Sequence, residues 1–155
     1  MKRFSYSITI LIIAVFCLIC GCSSPQKKYH IGVSQCSDDE WRTQMNNEIL
    51  REGLFYQDVQ IDITSANDQN QKQIEDIQSF INQGVDLLIV SPNEAEAITP
   101  IIEEAYDHGI PVILVDRKVN TEKYTAFVGA DNYKIGEEIG HYIQHCLPKG
   151  GKMVE

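Results

Sequence analysis

Apolar positions in this chain come in two patterns, short unbroken runs and stripes at helical spacing, and they alternate. Residues 86–118, DLLIVSPNEAEAITPIIEEAYDHGIPVILVDRK, show both most clearly. The run Leu87–Val90 stops at Ser91-Pro92-Asn93, and Ile98, Ile101, Ile102, Ala105 and Tyr106 then recur at helical intervals. Gly109 punctuates, Pro111 opens a second run to Val115, and that run ends in Asp116-Arg117. Unbroken apolar runs joined by an amphipathic helix are what a parallel sheet covered on both faces requires. The stretch predicts a βαβ unit.

The same alternation extends along the chain. Residues 29–35 (YHIGVSQ) predict a first strand, with Gly32 allowing a neighbouring helix to come close. Ser37 with Glu40 three residues on has the capping-box pattern, opening a helix over about 39–51 in which Trp41, Met45 and Ile49 recur every four residues until Gly53. Residues 59–64 alternate as a second strand. Asp68 with Gln71 predicts the start of a second helix, with Ile74, Ile77 and Ile81 facing the core and Gly84 at C′. A fifth strand over 125–129 ends in Ala130-Asp131-Asn132. The helix after it carries Ile135, Ile139, Ile143 and Cys146, residues 148–151 stop it, and 152–155 read as a strand just begun. Right-handed crossovers assemble this order into an α/β, doubly wound parallel sheet of flavodoxin-like strand order.

Composition narrows the function. The 155 residues suit one domain, and 43% hydrophobic content supports a core. With 13 basic against 22 acidic residues, a net charge of −9 and no basic run after Lys27-Lys28, no nucleic-acid partner is expected. Lys2 and Arg3 precede an apolar segment over 8–19, so residues 1–21 predict an export signal or, alternatively, an uncleaved membrane anchor. Ile19-Cys20-Gly21-Cys22 resembles a bacterial lipobox, with Cys22 as the lipidation site and 22–28 as a tether. Either way, residues 29–155 lie outside the cytoplasm. Of the five cysteines only Cys36 and Cys146 fall in the folded part, at opposite ends of the sheet, and two free thiols are expected.

In open α/β sheets ligands bind beyond the carboxyl ends of the strands. Residues 34–41, 91–94, Asp116-Arg117 and Asp131-Asn132 all fall there. An Asp-Arg pair suits a polyhydroxylated ligand, because a hydroxyl donates to the carboxylate and accepts from the guanidinium. Trp41 can stack on the C–H face of a sugar ring. The motifs IGVSQCSDDEW, DLLIVSPNEAEAITPIIEEA, GIPVILVDRK and YTAFVGADNYKIGEEIGHYI resemble, in order, the N-terminal lobe of type I periplasmic binding proteins of the ribose-binding group. Their wording is most similar to the sensor domains of hybrid two-component histidine kinases from gut Bacteroidetes.

The resemblance implies ligand contacts at Asp38, Glu40 and Trp41 after strand one, sugar hydroxyls on Asp116 and Arg117, and rim positions at Asn93 and Asp131. Glu40 departs from the ribose binders, which carry an aromatic there. The resemblance also implies a two-lobe fold that closes on its ligand, of which residues 29–155 are the first lobe, the second being absent. Each residue has a plainer reading. Asp116-Arg117 can be a surface ion pair, Trp41 a core residue of its helix, and Asn93, Asp131 and Asp38 helix caps, while Glu40 can complete the capping box. His141 and His145, four apart with Glu138 nearby, have a spacing that can hold zinc, but they lie off the Ile stripe and read as exposed. No metal, no cofactor and no catalysis are expected. The reading is a sugar-sensing input region of a two-component protein, or alternatively the substrate-binding lipoprotein of a sugar ABC transporter. The expected partners are a sugar-like small molecule and the membrane, with a homodimer or a transporter permease as protein partners. The third reading is an α/β enzyme fragment.

Overall fold

The computed structural model describes residues 28–152. The predicted signal or anchor, Cys22, most of the tether and residues 153–155 lie outside that range. Five strands, β1 (Tyr29–Gln35), β2 (Val59–Ser65), β3 (Leu87–Val90), β4 (Val112–Val115) and β5 (Ala126–Val128), form one parallel sheet in the order β2-β1-β3-β4-β5. Four helices, α1 (Glu40–Gly53), α2 (Asn70–Gln83), α3 (Ala95–Asp107) and α4 (Asn132–Cys146), follow β1, β2, β3 and β5. The flavodoxin-like order predicted from the alternation is the order found. β5 is shorter than the predicted 125–129.

The core lies between the sheet and α2–α3. Leu88, Val90, Val112 and Leu114 are buried there with Ile77, Phe80, Ile98, Ile102 and Ala105. Gly32 brings α2 onto β1 as expected: a Cβ at this position would stand 2.7 Å from the Phe80 ring. Two helices end in matching glycine turns. Gly84 (φ 66) and Gly109 (φ 80) are left-handed, and the N–H groups of Val85 and Ile110 bond back to the carbonyls of Phe80 and Ala105, closing Schellman motifs that each bury the next apolar residue.

Four expectations are corrected. Asp39, not Ser37, caps α1: its Oδ1 accepts from the N–H of Arg42, while the Ser37 hydroxyl donates to its Oδ2 at 2.6 Å. With Asp39 as cap, Glu40 becomes the first helical residue and is too early to complete a capping box. Asp68 does not start α2. It and Asn67 adopt left-handed backbone, and the helix begins two residues later behind Gln69. Trp41 is 58% exposed rather than in the core, and Arg42 takes the inward place above Met45 and Ile49. A repeat of every four residues drifts from the 3.6-residue turn, so the true inner line runs 42, 46, 49, 53.

The fourth correction concerns α4. It buries none of its residues, and Ile135 and Ile139 stay 47% and 53% exposed. The face of β3 and β4 opposite α2 and α3 is only half-covered at Leu87, Ile89, Ile113 and Val115. The two-sided cover expected of a doubly wound sheet is thus complete on one face alone. Cys36 is buried and Cys146 exposed, both free, and His141 and His145 are exposed on α4.

Candidate functional site

β4 ends at Val115, and the chain then turns sharply. The N–H of Arg117 bonds the Val115 carbonyl at 2.8 Å across Asp116, whose φ is +68. This is a γ-turn with a non-glycine residue at its left-handed centre, a conformation that costs about 1–3 kcal/mol and collects at functional sites. The N–H of Asp116 is fixed to the Val128 carbonyl of β5 at 2.8 Å. The turn presents Asp116 and Arg117 side by side to one hollow of about 590 Å³, shared with Lys118, Phe127, Gly129 and Asp131. Gly129 has no Cβ because one would lie 2.4 Å from the Phe127 ring.

The carboxylate of Asp116 is held from behind. Arg42 Nη2 donates to its Oδ2 at 2.6 Å, with the Arg42 side chain 4% and that of Asp116 38% exposed. Arg42 also lies over the Trp41 ring, 4.5 Å from its centroid. Its Nε and Nη1 are buried without a partner among the described residues. A buried guanidinium with two idle donors is costly, since each unmet buried N–H costs about 1–3 kcal/mol. Arg117 is half in solvent, and its Nη1 donates to the Asn93 carbonyl at 2.9 Å. Its Nε lies 3.9 Å from the same Asp116 Oδ2. The arrangement gives one acceptor and one donor set a few ångströms apart, which fits vicinal hydroxyls.

Buried amides frame the neighbouring strand ends. Gln73, fully buried on α2, donates to the Ser91 carbonyl at 2.9 Å and accepts from the N–H of Asn93 at 2.8 Å. The Asn93 amide in turn donates to Asn70 Oδ1 and the Asp68 carbonyl. Asn93 is therefore not a helix cap; α3 starts behind Glu94. Asp131 does cap α4, accepting from the N–H of Lys134 at 3.0 Å, while its residue lines the hollow. Of the residues singled out by sequence, Asp116, Arg117 and Asp131 share the hollow, Asn93 joins it through Arg117, and Trp41 through Arg42. Asp38 and Glu40 are exposed on the turn into α1 and do not line it. Arg42, Gln73 and Phe127 were not singled out. Arg42 was legible in principle, as a charged residue on the inner line of α1.

Comparison with known proteins agrees with the fold. The family model for the periplasmic binding protein domain matches residues 31–155. The ribose import binding protein of Bacillus subtilis (strain 168) is 35% identical over 97 residues, covering 63% of this chain and 32% of its own length. The D-xylose-binding periplasmic protein of Haemophilus influenzae is 30% identical over 128 residues, covering 83% and 39%. Among solved structures, the fructose binding periplasmic domain of hybrid two component system BT1754 superposes with a TM-score of 0.77 at 59% identity, covering 79% of this chain and 41% of that one. The chain thus spans well under half the length of these relatives. With a model match over most of its length and an open parallel sheet whose polar groups converge at the strand ends, the chain belongs to the periplasmic binding protein family.

Proposed function

We propose that this chain is the first ligand-recognition lobe of an extracytoplasmic sugar-binding domain that acts as the input region of a two-component signalling protein. The observation that carries the reading is Asp116, strained at the end of β4, clamped by buried Arg42 and flanked by Arg117. Asp116 accepts one sugar hydroxyl and Arg117 donates to its neighbour. Arg42 holds the carboxylate in place, and the exposed Trp41 offers the ring face that Arg42 leaves free. Asn93 and Asp131 form the rim, and Asp38 and Glu40 join when the cleft closes. Residues 1–21 export the lobe, which is held to the membrane either by that segment left uncleaved as an anchor or, once it is removed, by lipid on Cys22. A second lobe beyond Glu155 completes the cleft, which fits a chain covering 41% of the BT1754 domain. The likeness to that domain supports the sensor role and makes fructose the first sugar to test.

A second reading, the binding lipoprotein of a sugar transporter, is favoured by the lipobox at Cys22 and by the import binding protein among the relatives. The experiment is a thermal-shift screen of fructose and other sugars on the complete exported region. A ligand at about 100 times its Kd stabilises by about 2.7 kcal/mol. The expected hit disappears in Asp116→Ala. A folded protein that shifts with no sugar would refute the sugar reading. Ligand-dependent phosphorylation of a kinase in the same gene product separates the sensor from the transporter.

A further inference from the structure

The edge of the sheet away from the hollow carries an apolar cluster that sugar binding does not use. α1 runs back against the strands, so its last turn comes out beside the start of β1, where the chain enters the lobe. There Leu54 and Phe55 are 82% and 75% exposed, and Leu50, Tyr56 and Tyr29 about half exposed. The tip is a fixed turn and not a frayed end: the N–H groups of Phe55 and Tyr56 bond the carbonyls of Glu52 and Gly53, both at 3.1 Å. The N–H of Tyr29 bonds the Asp58 carbonyl at 2.6 Å, tying this turn to the chain's entry point. Behind the tip an apolar groove of about 350 Å³ runs between Ile31, Ile49, Tyr56, Val59 and Ile61. Three consecutive large apolar side chains held in water mark a surface with a partner.

We propose that Leu50, Leu54, Phe55 and Tyr56 dock on a lipid bilayer, seating the lobe with its ligand edge turned away from the membrane. The sequence before β1 selects this occupant. The apolar segment 8–19 and Cys22 place either form of membrane attachment just upstream. From Cys22 to Tyr29 the chain extends about 25 Å at most. The cluster therefore stays within reach of the bilayer, on the edge of the lobe that faces it. Tyr and Phe beside Leu suit the boundary between headgroups and acyl chains. The surrounding charges, Lys28 and Arg51 against Glu48, Glu52 and Asp58, are mixed, so the contact is apolar and indifferent to salt.

This inference rests on the membrane attachment proposed above, and the experiment separates the two. Phe55→Trp is made in the complete gene product with its own N-terminal segment. The protein is reconstituted with phosphatidylethanolamine–phosphatidylglycerol vesicles whose acyl chains carry bromine, a tryptophan quencher. Native Trp41, near the ligand edge, is the internal reference. The expected result is flotation with the vesicles, loss of the emission added at position 55 at both low and high salt, and its recovery when Leu54→Ser is added, with ligand stabilisation unchanged throughout. Failure to float would refute the attachment and the docking together. Flotation without quenching would leave the attachment standing and overturn the docking. Protection of position 55 without quenching would then assign the cluster to a second copy or to the chain beyond Glu155.

Discussion

At the residue scale, the site turns on Arg42. Its guanidinium is buried, bonded once to Asp116, and idle at Nε and Nη1. If it served stability, its removal would be costly, as breaking a buried pair is. The unpaired donors argue otherwise, because burying them already consumes much of what the ion pair gives, and Asp116 has solvent to fall back on. Arg42→Met is therefore expected to change the unfolding free energy by less than about 1.5 kcal/mol, because the carboxylate it leaves unpaired is 38% exposed and not a buried uncompensated charge. It should also weaken ligand binding at least about tenfold, or about 1.4 kcal/mol. Urea unfolding and titration calorimetry on the same sample check both halves. A large stability loss with unchanged affinity would make Arg42 a structural residue. Periodicity draws attention to Trp41 here and passes over its neighbour Arg42. Trp41, Met45 and Ile49 look like a stripe because four-residue spacing nearly matches a helical turn, and an arginine is not expected inside. Asp116 and Arg117 were visible, because a polar pair ending an apolar run marks a strand end.

At the element scale, the start of α1 links site geometry to pH. Asp39 caps the helix that carries both Trp41 and Arg42. Its carboxyl is held below the usual aspartate range, first by the Ser37 hydroxyl and then by the N–H of Arg42. A lowered pKa contributes stability that is present above the ordinary value of about 3.9 and is lost as pH falls through the folded value. Asp62 acts in the same sense, chiefly through the His30 ring bonded to it at 2.7 Å. Asp39→Asn keeps an equally good cap without a titrating group. Near neutral pH its Tm should match that of the native chain, and below about pH 4 it should fall less steeply. Calorimetry across that range tests the cap, and parallel curves would show that Asp39 does not report on folding. The choice among Ser37, Asp38 and Asp39 was not legible, because three adjacent capping residues offer three registers. Only the packing of Arg42 against Asp116 selects one. The helix ends were easier, since Gly84 and Gly109 each stand before a buried apolar residue and admit one solution.

At the scale of the molecule, the outstanding feature is an amphipathic helix, α4, whose isoleucine face stays about half exposed among the described residues. Ile135 and Ile139 on α4 match the spacing of Ile98 and Ile102 on α3, yet the latter are fully buried and the former about half exposed. Periodicity reports that a face seeks burial, not what it meets, so the sequence could not separate the two helices. The proposed second lobe supplies what is missing, and this yields a paired prediction. In the 155-residue chain, Ile135→Ser with Ile139→Ser should be nearly silent, within the roughly 0.5 kcal/mol usual for surface changes. In a chain extended by the proposed second lobe the same pair should cost more than about 2 kcal/mol, because each isoleucine then gives up burial worth about 1.5–3 kcal/mol. Denaturant unfolding of all four proteins reads the difference. Silence in both lengths would leave α4 an exposed spacer and require the continuation to pack elsewhere. A cost in the longer protein alone would mean that α4, though contiguous with β5, takes its stability from the sequence that follows it. The short loop over residues 129–131, which lines the hollow, would then be a joint on which the cleft can turn.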